Sequence, residues 1–572
     1  MRRYQGSPAS SGIVYGPAWV YHPVKVGAVK IEHIKDPEAE WQRLNAASNL
    51  ARNQLQALEE RARVNIGEAE AAIFQAHQEF LDDVEVMGNI KAALFNQKLN
   101  AEAAVKMSFD EAAKALSELD DPYFKARAQD VKDVSDRLLR CLQGKGNEVA
   151  EALSQPSIII ADDLTPSDTV QFDKEKILGL CTAKGGPTSH TAILARSLGV
   201  PAIVSAAFDF NEVAKGILTI LDGDDGLVTF GPTLNELNLA KAKRSALDSE
   251  RQVLLSEKSL PATTTDGHRV EVVANIGGVQ DAEKAIEMGA EGVGLFRTEF
   301  LYLDRAELLN LAEQITIYKG VMDVMDGRPL VIRTLDIGGD KSVPYLGLKE
   351  EANPFLGWRG IRMVRERPDI LANQFEALLL AGVDADLRIM LPMVSGIGEV
   401  QRAREIYDEV HANLVAQGRT IAKKVQFGIM IEVPSAALLA GHLASIVDFF
   451  SIGTNDLTQY SMAVDRTNER VAVLASPYNP AVLKLIEMTI EAAHKQGKWV
   501  GLCGELGGDK MAVPLLLGMG LDEFSMAPTN VPGVKQAIRQ WSLARSKEVA
   551  KKALSMESQV EVVNYLKGLD PS

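Results

Sequence analysis

The pattern of apolar and polar positions changes character three times along the chain. Ile13–Tyr21 is short, apolar and rich in Gly and Pro, the texture of strand and turn. Glu38 to Asp121 holds no proline and is dominated by Ala, Glu, Gln and Leu, which predicts helices with breaks at Gly67 and Gly88. Within it Ile73, Phe74, His77, Phe80, Leu81 and Val84 share one face at the three-to-four spacing. Glu38–Leu142 therefore reads as a bundle of amphipathic helices. From Pro156 the texture turns to α/β. Apolar runs at Ser157–Ala161, Ile177–Cys181, Ala202–Val204 and Leu218–Leu221 read as buried strands, with helical stretches such as Thr191–Leu198 between them. The opening strand is expected to join this unit, which makes the bundle an insertion into it.

Leu234–Lys258 is polar and free of Gly and Pro, a connecting helix. Beyond Thr264 strand-like runs recur at Val270–Ile276, Gly292–Phe296, Leu330–Leu335, Leu387–Met393, Phe427–Glu432, Asp448–Ile452, Trp499–Cys503 and Glu523–Met526. Helical patterns separate them, and eight such pairs in about 300 residues predict a (β/α)8 TIM barrel with its active site at the strand ends. The expected organisation is a multidomain α/β protein. An α/β domain spans 1–30 and 146–232, a helical insertion 31–145, a linker helix 233–260 and the barrel 261–572.

Composition narrows the function classes. The chain has 572 residues, enough for several domains, with 46% apolar and 24% charged residues. A formal net charge of -16 argues against a nucleic-acid binder, which needs a basic face. The three cysteines, Cys141, Cys181 and Cys503, lie too far apart for a disulfide framework or a zinc site, so a reducing compartment is expected. The N-terminus lacks a signal-peptide core, and no run of about 20 apolar residues offers a membrane span. A cytoplasmic protein is expected.

Each probable barrel strand is read as ending in a residue with chemical use. The second ends at Arg297 and the third at Arg333, with Asp336 just beyond; the fifth ends at Glu432; the sixth runs into Asn455-Asp456; the seventh delivers Cys503. Arg359 and Arg466 lie in the loops after strands three and six. Several arginines imply an anion with multidentate oxygens. Glu432 and Asp456 suit Mg²⁺ that keeps waters and shares a substrate's oxygens. Any one of these could be a rim ion pair or a loop carboxylate; their convergence argues for a site. Cys503, flanked by glycines expected to leave its thiol room, is as readily a small hydrophobe as an acid or nucleophile. In the α/β unit, Gly185-Gly-Pro-Thr-Ser-His190-Thr-Ala-Ile-Leu-Ala-Arg196 joins a glycine turn to a helix capped by Thr188 or Ser189. The positive helix end disfavours an imidazolium at His190 and would stabilise a phosphoryl group attached there. A capping histidine or a metal ligand is the alternative, although no second ligand stands at metal spacing.

That segment resembles the phosphohistidine signature of the phosphoenolpyruvate-utilising enzymes. Asp448-Phe-Phe-Ser-Ile-Gly-Thr-Asn-Asp-Leu-Thr-Gln-Tyr460 is similar to their second signature, and Asn353–Arg359 and Gly501–Glu505 are typical of them. Length and order resemble the Enzyme I family of the bacterial phosphotransferase system, the phosphoenolpyruvate–protein phosphotransferases, over essentially the whole chain. The resemblance implies that His190 carries the phosphoryl group, oriented by the hydroxyl of Thr169. It implies phosphoenolpyruvate ligands at Arg297, Arg333, Asn455 and Arg466, with Arg359 on the phosphate, Mg²⁺ ligands at Glu432 and Asp456, and an acid for the enolate at Cys503. It further implies that the helical insertion docks the histidine phosphocarrier HPr and that the barrel forms a homodimer. Six acidic residues and no Lys or Arg fall between Val64 and Ile90, among them Glu68, Asp82, Asp83 and Glu85. By itself this is a solvated helix face; beside a basic carrier it reads as the docking surface.

Pro187 stands where the family usually has Arg, so a phosphate contact is expected to be missing there. With nucleophile and donor site on separate domains, the α/β unit is expected to swing, with hinges in the connecting helix Leu234–Lys258 and at its ends. Three rivals remain. A pyruvate phosphate dikinase or phosphoenolpyruvate synthase needs a large ATP-binding domain, for which the residues before His190 leave little room. A barrel lyase or mutase would work without His190. A nitrogen-type regulatory paralogue typically carries an extra N-terminal sensory domain.

Overall fold

The computed structural model describes residues 2–22, 26–65, 68–118, 122–145, 153–170, 172–186, 189–209, 213–302, 305, 307–339, 344–346, 351–466, 468 and 470–570. Gly67, Pro187 and Thr188 lie outside them, as does the side chain of Glu68. The chain forms two compact units, Met1–Ser249 and Glu250–Ser572.

The first unit is built on strands β1 (Arg2–Gln5), β2 (Ser7–Ser10), β3 (Ile13–Val20), β4 (Ser157–Ala161), β5 (Ile177–Thr182), β6 (Ala202–Val204), β7 (Leu218–Asp222) and β8 (Leu227–Phe230). They form one sheet in the order β1-β8-β7-β3-β4-β5-β6-β2, parallel from β3 to β6 and antiparallel elsewhere. β4 is buried at every residue, as its unbroken Ser-Ile-Ile-Ile-Ala run requires. Helices 37–65, 68–81, 84–95, 101–118 and 122–142 separate β3 from β4, which are neighbours in the sheet, and they enclose an apolar core of their own. Gly88 does not break a helix: it lies inside Val84–Phe95, and the break falls at Asp82–Asp83, where the Asp83 carboxylate caps the new helix by accepting from the Val86 N–H at 2.8 Å. The cap turns Val84 outward, to 88% exposure, whereas Phe74, His77 and Leu81 are buried as their spacing predicts.

Helix Leu234–Ser256 follows β8. In the second unit β9 (Glu271–Ile276), β10 (Val293–Arg297), β11 (Leu330–Arg333), β12 (Leu387–Leu391), β13 (Val425–Ile431), β14 (Phe449–Ile452), β15 (Trp499–Leu502) and β16 (Glu523–Met526) close a parallel barrel. Outward residues such as Val272, Ile332 and Phe450 join the large core under the surrounding helices. Inward residues Val331, Met390, Met430 and Phe449 fill the lumen.

Candidate active site

The barrel strands end in a lattice of buried charge. Arg297 and Arg333 lie in register at the ends of β10 and β11. Arg333 pairs with Glu299 at 2.5 Å and Asp336 at 3.1 Å. Arg359 grips Asp336 with a two-point fork, both contacts 2.9 Å, and reaches Asp456 at 3.1 Å. Burial alone would discharge these guanidiniums; Glu299, Asp336 and Glu432 around Arg333, and Asp336, Asp456 and Glu432 around Arg359, hold them charged instead. Each Arg359 nitrogen is thus engaged by a carboxylate, and a phosphate contact there would use the second N–H of Nη1 or Nη2. By contrast the buried Nε atoms of Arg297 and Arg333 have no hydrogen-bond partner among the described residues, which leaves donors for an incoming anion.

Glu432 is fully enclosed, and one oxygen accepts from the Met393 N–H at 2.6 Å. Met393 adopts a left-handed backbone (φ 57°) to aim that N–H, strain typical of a site held by its surroundings. Burial, then the nearby carboxylates of Asp456 and Asp336, pushes Glu432 up to about 7. This crowd of carboxylates fits a divalent cation. Among the described residues no three carboxylate, His or Cys groups gather as a full metal cage, so the remaining donors would be substrate and water. Asn455 is braced by Glu505, whose N–H it accepts at 3.1 Å, and Arg466 lies 3.7 Å from Asp456.

Cys503 follows β15 and is 5% exposed, its sulfur 3.7 Å from the Ile452 carbonyl. Burial pushes the thiol up to about 12, so it stays protonated, the form an acid requires. The neighbouring glycines do not serve to give the thiol room. A Cβ at Gly504 would stand 1.9 Å from Thr454 Oγ1, and one at Gly501 2.7 Å from Glu523 Oε1; each glycine admits a neighbour instead. Glu299 and Asp336 are the site residues the sequence reading left without a role. Their signal was position: Glu299 lies two residues after Arg297 and Asp336 three after Arg333.

His190 opens helix His190–Leu198 in the first unit. Ser189 caps it through the Ala192 N–H at 3.4 Å, and Gly199 ends it in the left-handed conformation. Gly185 supplies the turn before it with φ 89°. The ring is half-buried, and Asp163, raised by burial, is the nearby charge that acts on it. Thr169 sits in the short helix 166–169 that packs beside the His190 helix, but its hydroxyl donates to the Pro166 carbonyl at 2.8 Å. Only its lone pairs are left for an imidazole N–H. On the helical bundle, Asp82 pairs with Arg52 at 2.5 Å, Asp83 is spent as a helix cap, and Glu85 is exposed.

A barrel rim of arginines, carboxylates and a thiol, with a histidine at a helix N-terminus on another unit, defines a phosphoenolpyruvate-utilising enzyme. Family profiles agree: "PEP-utilising enzyme, PEP-binding domain" matches residues 251–543, "PEP-utilising enzyme, mobile domain" 153–226 and "PEP-utilising enzyme, N-terminal" 5–127. The chain is 43% identical to the phosphoenolpyruvate-protein phosphotransferase of Priestia megaterium over 99% of both chains. It is 44% identical to that of Haemophilus influenzae over 97% of both. A solution structure of Enzyme I matches 43% of this chain and 99% of its own at 33% identity, with a TM-score of 0.38. The chain belongs to the phosphoenolpyruvate-protein phosphotransferase family and is a transferase.

Proposed function

We propose that His190 takes the phosphoryl group of phosphoenolpyruvate, that pyruvate is released, and that His190 then phosphorylates a histidine of the carrier HPr, the entry step of phosphotransferase-system sugar uptake. The observation that carries this reading is the buried Arg333–Asp336–Arg359–Asp456 lattice around Glu432, set beside a protonated thiol. Arg297 and Arg333 bind the phosphate and carboxylate through their unengaged donors, with Asn455 and Arg466 at the edge of the site. Arg359 and Asp336 hold the lattice rigid, so little reorganisation accompanies the charge shift. A nitrogen of His190 attacks phosphorus; the P–N bond forms as the P–O bond breaks, leaving the enolate of pyruvate. The Cys503 S–H protonates the enolate carbon to give the methyl group and leaves a thiolate. Thr169 orients the His190 ring by accepting its other N–H. Mg²⁺, held by Glu432 and Asp456, would neutralise charge on the phosphate and enolate.

Labelled phosphoenolpyruvate with Mg²⁺ tests this directly. Acid-labile, alkali-stable label is expected on the wild type and none on His190→Ala; label that survives the substitution overturns the assignment. For Cys503→Ala, slower pyruvate formation with unchanged phosphoenolpyruvate binding is expected.

HPr would dock on the helical insertion, taken as 31–145, where exposed Val84 lies between Asp82 and Glu85: an apolar centre with an acidic rim suits a basic partner. The phosphohistidine domain would comprise 1–30 and 146–232, and the linker 233–260. Within that linker segment, Glu236 and Lys243 bond to Arg3 and Asp222, while Glu250 and Glu257 bond to Lys510 and Arg539. A hinge within it would let His190 visit donor and acceptor in turn. The barrel, 261–572, would form a cytoplasmic homodimer; Leu438, Val473 and Leu474 are apolar side chains it exposes. No helix among the described residues is long and apolar enough to cross a membrane.

A further inference from the structure

The barrel lumen holds polar groups that this chemistry leaves without a task. Ser451 of β14, Gly501 of β15 and Glu523 of β16 lie in one row across three neighbouring strands. Gly501 brings no side chain into the row, and a Cβ there would stand 2.7 Å from Glu523 Oε1. The carboxylate therefore occupies the lumen in front of the glycine, in the same row as Ser451. Gly294 of β10 makes the same allowance from its side, with a virtual Cβ 2.7 Å from the same oxygen. Ser451 and Glu523 are each 1% exposed. Ser451 Oγ and both Glu523 oxygens have no hydrogen-bond partner among the described residues. Arg388 approaches Glu523 only to 3.6 Å and is shared with Glu271 at 3.7 Å and Asp386 at 3.5 Å.

One step nearer the substrate end of the lumen is Cys503. The Ser451 hydroxyl acts on its sulfur and favours the thiolate, although no hydrogen bond of good geometry joins them while the thiol is protonated. Leaving three buried polar atoms unpartnered costs stability, and such groups call for an explanation. Their place in the lumen, one row below the thiol, supplies one.

We infer that Ser451 and Glu523 form a proton relay that recharges Cys503 from the strand-start end of the barrel. After Cys503 has given its proton to the enolate carbon, the Ser451 O–H bond breaks as the thiolate S–H bond forms. The Glu523 O–H bond breaks as the Ser451 hydroxyl is restored, and Glu523 is left as carboxylate. Arg388 faces that carboxylate from β12 and Glu271 from β9. Glu271 and Asp386 are each 44% exposed, so solvent reaches this end and returns the proton. Burial, reinforced by Glu271 and Asp522 and opposed by Arg388, pushes Glu523 up to about 8, so it carries a proton at neutral pH. Water need not enter on the substrate side, where it would compete with His190 for phosphorus. Ser451 and Glu523 are positioning residues that act through Cys503.

The inference rests on Cys503 as the acid, and the test separates the two claims. Pyruvate formation over many turnovers is measured across pH for wild type, Ser451→Ala, Ser451→Thr, Glu523→Gln and Cys503→Ala, with phosphoenolpyruvate, Mg²⁺ and excess HPr as acceptor. Ser451→Ala and Glu523→Gln are expected to slow it roughly tenfold or more with KM unchanged. Ser451→Thr, which keeps the hydroxyl, should recover most of the rate, and Glu523→Gln should lose an inflection near pH 8. Wild-type rates and profiles in both variants, beside a slow Cys503→Ala, overturn the relay and leave the acid in place. Normal turnover in Cys503→Ala overturns both. Should Glu523→Gln fail to fold, the serine pair decides, and a threonine variant as slow as alanine defeats the relay.

Discussion

In the proposed transfer His190 and Cys503 are the reactive ends, yet their surroundings are built on opposite lines. Cys503 is 5% exposed at the rim of a barrel in which Arg333, Asp336, Arg359, Glu432 and Asp456 fix one another by charge. His190 is half-buried at the first position of a nine-residue helix, and the nearby Asp162–Lys184 pair lies at the surface. A donor site that must stabilise developing charge gains from groups that cannot move. A nucleophile that would serve two partners in turn needs access, and what holds its element in place is the Ser189 cap at the start of the helix.

The sharpest way to break this comparison is to remove one carboxylate from each side. Asp336→Asn should leave Arg333 and Arg359 buried without their shared counter-charge, costing about 3–5 kcal/mol. Chemical denaturation followed by barrel tryptophan fluorescence measures it. Asp162→Asn removes only the partner of exposed Lys184 and should leave stability unchanged. Comparable losses in the two variants would mean that the barrel lattice is no more constrained than the surface around His190.

A smaller effect sharpens the electrostatic side. Glu523 holds its proton in the fold up to about pH 8, whereas the unfolded chain releases it near the ordinary carboxylate value. Between those values the folded barrel binds more protons than the unfolded chain. The contribution is therefore fully present below the unfolded value and is lost as pH rises toward 8, at most about 1.4 kcal/mol per pH unit. Glu523→Gln should flatten that slope in denaturation curves taken from pH 5 to 8. An unchanged slope would show that Glu523 is ionised in the fold at neutral pH.

The barrel was legible in the sequence because strands covered on both faces read as apolar runs, and because the residue where each run stops faces the rim. β1, β2 and β8 were not: β1 and β2 are short sheet-edge strands of Arg, Gln, Ser and Pro, and β8 is only four residues long. The partners of Arg359 were hidden for another reason. Asp336 reaches it from the loop after β11 and Asp456 from the helix Thr454–Met462, so the pairing exists only once the barrel has closed. The row Ser451–Gly501–Glu523 is likewise a matter of register across three strands, invisible to any local motif.

The helical bundle shows the same lesson at the smallest energetic scale. Gly88 looked like the helix breaker, but an internal glycine costs only about 1 kcal/mol, and a capped start at Asp83 outweighs it. Two neighbouring acidic residues therefore do different work. Asp83→Ala should lower bundle stability by about 1 kcal/mol, because the Val86 N–H loses its acceptor. Glu85→Ala should leave stability within about 0.5 kcal/mol but weaken HPr binding, more at low salt than at high, because its exposed carboxylate contributes only to the field. Thermal melts and calorimetric titration with HPr separate the two. If Glu85→Ala binds HPr as tightly as wild type at low ionic strength, the acidic face is a solvated helix surface and the docking site lies elsewhere.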